Sequence, residues 1–227
     1  MSYVVDLKVT EQTHQRFIQI HQRLNAGEKE TLSKPLGNVL ADVAYEVIDQ
    51  VFADLLRKQK AQATTEQAKN MVIESEKVIQ QVQDTLKKYM PYSVSLFGND
   101  RLLPLVNYLL HLIREKDGQF YLHYAVDNVL VKEAFGCIDQ VKAGNHHYIV
   151  LAFKALTQIV DQGVTALIRE PKKLLKFNLV VDKTLNGVIN MTTHLGYKRL
   201  EKLGSHVDPQ TANQYIDHFL AFLGEEN

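Results

Sequence analysis

The stretch "NVLADVAYEVIDQV" (38–51) returns ninety residues later as "NVLVKEAFGCIDQV" (128–141), with eight of fourteen positions identical and no gap. At about 100° per residue, Leu40, Ala44, Val47, Ile48 and Val51 gather in one sector of a helix, and Leu130, Ala134, Cys137, Ile138 and Val141 gather in the same sector of a second one. The polar residues recur as well. Asn38 and Asp49 are eleven residues apart, about 20° from each other on the helical wheel, and opposite the apolar sector. Asn128 and Asp139 repeat that arrangement. Helix packing does not require such a pair, so these four residues are candidates for binding a ligand or partner.

The flanking chain supports a helical reading. Apolar residues at helical spacing predict a helix over 10–25, then a long second helix opened by Pro35, on which Leu36, Leu40, Val43, Val47, Val51 and Leu55 keep a 3.5-residue rhythm. "TTEQ" (64–67) has the pattern of a capping box before a third helix, which Pro91 is expected to stop. Further helices are expected over about 100–116 and 121–143, and from 146 to just before Pro171. The segment 171–204 reads as one long helix or as two broken at Asn186-Gly187, although "KFNLVV" before that dipeptide also resembles half a hairpin. Asp208 and Pro209 begin a last helix. The expectation is an all-α bundle of seven to nine helices in a single domain over 1–227. A three-helix unit would be duplicated across 10–90 and 100–180, with His21 falling on His111, and the seam between the copies would be a place for a ligand or partner.

Composition narrows the function classes. The chain has 227 residues, 45% of them hydrophobic, which permits a sizeable core and argues against disorder. Its formal net charge of zero argues against a protein whose main task is to coat nucleic acid or an anionic surface. One cysteine allows neither an intramolecular disulfide nor a cysteine zinc cluster. "MSYVVDLKV" lacks the pattern of a secretory signal, and the longest apolar run, "YIVLAF", is far too short to span a bilayer. A cytoplasmic location is expected.

Candidates for chemistry are few. Glu11 and His14 have the Glu-x-x-His spacing of helical di-iron ligands, but no second copy of that motif occurs. His14 and His21 are too far apart along a helix to share one ion. His146 and His147 open a helix, where the positive end of the dipole favours neutral rings. Cys137 aligns with Val47 on an apolar sector and is expected to be a buried, inert thiol. Arg169, Lys172, Lys173, Lys176, Lys183, Lys198, Arg199 and Lys202 would form a cationic stripe on a continuous late helix. Lys172, Lys173 and Lys176 are its candidate binding residues. Glycine-rich phosphate loops, nucleophile elbows and a tightly turned helix pair with a basic start are all missing. The reading is a non-catalytic protein that requires no cofactor and binds a protein partner or a second copy of itself through helix 2. The alternative is a helical sensor with an apolar cavity for a small molecule; a metalloenzyme built on Glu11 and His14 ranks third.

Overall fold

The computed structural model describes residues 2–62 and 65–226. The chain begins with a strand, β1 (Ser2–Val9), followed by α1 (Glu11–Asn25) and α2 (Ser33–Ile48). One π-helical turn (Asp49–Ala53) joins α2 to α3 (Asp54–Gln62); α4 (Glu66–Ser95), α5 (Asn99–His111) and β2 (Ile113–Lys116) follow. A second series then runs through β3 (Gln119–Val126), α6 (Asn128–Lys142), α7 (Ile149–Val164), another π turn (Thr165–Arg169), α8 (Glu170–Leu174), α9 (Leu179–His206), α10 (Pro209–Leu220) and β4 (Leu223–Glu226). The fold is mainly helical but not all-α: the four strands form one antiparallel sheet in the order β2-β3-β1-β4.

The strands follow from period-two patterning. Val5, Leu7 and Val9 of β1 and Leu122, Tyr124 and Val126 of β3 are buried on the inner face of the sheet, whereas Lys8 and Ala125 point away and are exposed. Residues 119–126 do not extend the helix expected from 121, because Asp117 and Gly118 turn the chain sharply. Both have positive φ (53° and 69°), as a two-residue type I′ hairpin demands, and Lys116 pairs with Gln119 across the turn. The edge strands "IREK" and "LGEE" carry charges that discourage pairing with another chain.

Other boundaries also move. α4 passes through Pro91 to Ser95, and α9 is one helix through Asn186-Gly187; the chain breaks instead at 175–178, where Lys176 takes φ 48°. Thr65 caps α4 by accepting from the Ala68 N–H (3.2 Å), while Thr64 lies outside the described residues. Asp208 caps α10 as expected. Cys137 is half-buried against the main core rather than fully enclosed.

The element order recurs, but not at the ninety-residue offset. β1 and α1 correspond to β3 and α6 at 117 residues, and α2 with its π turn corresponds to α7 with its π turn at 116. Segments 38–51 and 128–141 therefore hold different places. The first lies on the second helix after a strand and packs against α4; the second lies on the first helix after a strand and packs against α7 and α10. The shared letters reflect two apolar helix faces of similar composition. In the strand pairing Asp6 lies opposite His123, its own counterpart, so a pseudo-twofold axis passes between them. Asp6 N–H donates to Phe222 O (2.9 Å) as His123 N–H donates to Leu112 O (2.6 Å). Thr10 N–H donates to Glu46 (2.9 Å) as Asp127 N–H donates to Gln162 (2.8 Å).

Helix crossings repeat with the small residue exchanged. Gly37 of α2 lies so close to α4 that an added Cβ would come 2.5 Å from Pro91 Cα. At the equivalent α7–α9 crossing the glycine is Gly204 on α9, and an added Cβ would come 2.8 Å from Cβ of Phe153, the counterpart of Gly37. Gly37→Ala and Gly204→Ala should each lower stability by about 1–3 kcal/mol through overpacking. Gly187→Ala, in α9 with nothing near the added methyl, should raise it by about 0.5–1 kcal/mol. Urea unfolding of the three variants checks both directions.

Candidate functional site: an apolar cavity at the seam

Between the two series lies a cavity of about 270 Å³. The inner sheet face forms one side through Val5, Leu7, Leu122 and Tyr124. α2 and α4 supply one wall and α7 and α9 the other, and both π turns reach it, through Val51 and Phe52 in the first and Leu167 and Ile168 in the second. The space is elongated. Lining residues run along α4 from Ser75 to Met90, about 22 Å of helix rise. A second cavity of about 110 Å³ shares Leu40, Leu86, Met90, Leu109 and Thr192 with the first and continues toward Leu175, Phe177 and Leu185.

The walls are hydrocarbon with a few hydroxyls, most of them already bonded. Thr13 Oγ1 donates to Glu46 (2.6 Å), Ser75 Oγ to Met71 O (2.8 Å), and Thr193 Oγ1 to Ile189 O (2.9 Å). Tyr197 donates to Asp161 (2.7 Å), which also holds Arg169 (2.7 Å). Arg199 donates to Ser75 (2.7 Å), to the Met71 carbonyl and to Glu74 (3.2 Å), so its charge is compensated. Burial pushes the phenols of Tyr124 and Tyr197 well above their ordinary range, which keeps both neutral. Two buried polar atoms stand without a partner at the walls: Thr192 Oγ1, on a residue 9% exposed, and His14 Nδ1. The His14 ring is stacked on Phe120 with centroids 3.7 Å apart. Thr192 lines both cavities, with its hydroxyl oxygen buried away from the open space.

Of the polar residues singled out in the sequence, His14, Lys172 and Arg199 reach the cavity walls. Glu11 accepts from Gln15 (2.9 Å), and among the described residues no three His, Cys, Asp or Glu side chains come together to hold a metal ion. Asn38 and Asp139 are exposed. Asp49 holds Arg57 (2.9 and 3.0 Å), and Asn128 accepts from Tyr3 N–H (3.1 Å), tying α6 to β1. Lys172 pairs with Asp182 and Lys173 with Glu170 (2.5 Å), while the Lys176 carbonyl accepts from Arg101 (2.9 Å). The late basic residues are thus largely paired, not an open stripe. His146 and His147 are exposed in a 3-10 turn ahead of α7. The apolar sector of helix 2 does reach the site: Leu40, Ala44, Val47, Ile48 and Val51 all line the cavity. Its supposed copy on α6 packs into the core elsewhere. Thr192 and the strand residues carried no local signal beyond polarity or alternation. The chain matches no family model, no curated protein and no solved structure.

Two histidines make this region sensitive to acid. Burial holds His14 below its ordinary value of 6.5, against the opposing pull of Glu115 and Glu11. His218 is lowered for the same first reason, and its Nε2–H donates to the Val51 carbonyl in the first π turn (3.0 Å). The unfolded chain therefore takes up these protons before the folded one, so stability is full above about pH 6.5 and falls as the pH drops below it. Urea midpoints should be lower at about pH 5.5 than at about pH 7.5, and the double variant His14→Gln/His218→Gln should flatten the difference.

Proposed function

We propose that the chain is a doubled α/β unit whose seam binds an extended, mostly apolar small molecule, of the acyl-chain class. The observation that carries this reading is the cavity itself. An apolar cavity of about 150 Å³ is enough to hold benzene; this one is about 270 Å³ and continues into a second. A space of this size leaves the apolar side chains that line it without packing partners on one side. An occupant supplies the missing contacts. With Arg199 already compensated, an uncharged polar group suits the site better than a free carboxylate.

The other reading is a protein partner docked along helix 2, on which Leu40 and Val47 are half-buried and Leu55 is buried, all three lining this cavity. Among the described residues no helix is long and apolar enough to cross a membrane.

Two variants test the proposal. Val82→Trp, which fills the cavity from α4, should weaken binding of the neutral probe N-phenyl-1-naphthylamine by about tenfold or more, equivalent to about 1.4 kcal/mol. Thr192→Val, which removes a buried hydroxyl without a partner, should stabilise the ligand-free protein by about 1 kcal/mol and leave probe binding unchanged. Fluorescence titration and thermal unfolding measure these, and unchanged probe affinity in Val82→Trp would sink the cavity reading.

A further inference from the structure

The corner between α8 and α9 has an unusual surface. Leu179 and Val180, at the start of α9, are 70% and 74% exposed, and Leu174 at the end of α8 is also exposed. Large aliphatic side chains so open to water need a reason when they cluster. The surrounding segment 169–183 carries Arg169, Lys172, Lys173, Lys176 and Lys183 against Glu170 and Asp182, a net charge of +3 in a chain whose total is zero. The corner is not a loose loop. Arg101 donates to the carbonyls of Leu175 and Lys176, and Phe177 packs edge-on against Phe97 with centroids 4.9 Å apart. Asn178 Oδ1 accepts from Val181 N–H (3.0 Å) and so holds the first turn of α9 in place. The apolar tip is fixed pointing outward. Behind it, Leu175, Phe177 and Leu185 line the second cavity, which adjoins the first at Thr192.

We propose that this corner docks on an anionic lipid bilayer, with Leu179 and Val180 inserted among the headgroups and the exposed Lys176 and Lys183 on the lipid phosphates. We further infer that the cavity's occupant enters and leaves on this side, an inference that rests on the apolar-ligand reading above. Arg169, Lys172 and Lys173 are held by Asp161, Asp182 and Glu170, which leaves an apolar tip flanked by the exposed Lys176 and Lys183, and buried aliphatic area and attraction to anionic lipid add together. A second copy of the chain fits the corner poorly. Two or three side chains fall far short of the roughly 800 Å² per partner of a stable interface, and a twofold contact would set lysine against lysine.

The test uses the full chain and sedimentation with vesicles of phosphatidylcholine alone or mixed with phosphatidylserine. Wild type should sediment with the mixed vesicles, much less with phosphatidylcholine alone, and less as salt rises. Leu179→Asp/Val180→Asp should abolish sedimentation, and Lys176→Glu/Lys183→Glu should weaken it by at least about fivefold per lysine. Both double variants should bind N-phenyl-1-naphthylamine in solution as wild type does, which verifies their folding and leaves the cavity intact. Val82→Trp should do the reverse, keeping vesicle binding and losing the probe, so failure of docking and failure of the cavity reading are separable. Wild type that remains in the supernatant with both vesicle types would overturn the docking proposal. So would an aspartate variant that sediments like wild type, or self-association in light scattering that Leu179→Asp/Val180→Asp removes.

Discussion

Antiparallel pairing of β1 with β3 is the constraint on which the rest of the molecule depends. Each strand opens one series of helices, and the pairing sets Asp6 against its own counterpart His123. The two series are thereby related by a pseudo-twofold rotation at the sheet. β2 and β4 then add to the outer edges in matching register. The inner face of the two central strands becomes the shared side of a space that neither half encloses alone. Its other walls come from helix pairs that touch most closely at Gly37 with Pro91 and at Gly204 with Phe153.

The exchange of glycine between the two crossings explains why the recurrence is hard to see in the letters. A close helix crossing needs one residue without a side chain, and the contact is equally served by either partner. α2 and α7, which hold the same place, share one identical residue when aligned, Leu40 with Leu156. Segments 38–51 and 128–141 share eight, yet they lie on non-equivalent helices. Identity between short amphipathic segments measures a common apolar face and nothing about position in the fold.

Most helices were legible because their apolar residues recur at helical spacing, and Asp208 marked one start, whereas the Asp127 cap of α6 went unseen inside the helix expected from 121. The sheet was not. Leu122, Val126 and Val129 satisfy helical spacing about as well as strand alternation, and β1, the second neighbour of β3, lies more than a hundred residues upstream, beyond any local pattern. A usable signal did exist in Asp117-Gly118, a better hairpin dipeptide in context than Asn186-Gly187, which sits inside α9. The cavity was half legible. The 3.5-residue apolar rhythm of helix 2 is real, but a sequence records only that a face avoids water, not whether protein or ligand covers it. Thr192 was invisible for a related reason: one threonine in a helix carries no mark of whether its hydroxyl finds the carbonyl a turn earlier.

Central placement of β1 also bears on how the chain comes to be folded. During synthesis β1 emerges well before its partners, since β3 begins only at Gln119 and β4 only at Leu223, and β1 pairs with both. At roughly 10 residues per second, Val4, Val5 and Leu7 wait on the order of 10 s for their first strand neighbour. Throughout that interval a short, apolar, β-prone segment stands without backbone partners, which is the condition under which nascent chains associate with one another or call on chaperones. The symmetry that builds the cavity thus makes the ribosome-bound first half the most vulnerable form of the protein.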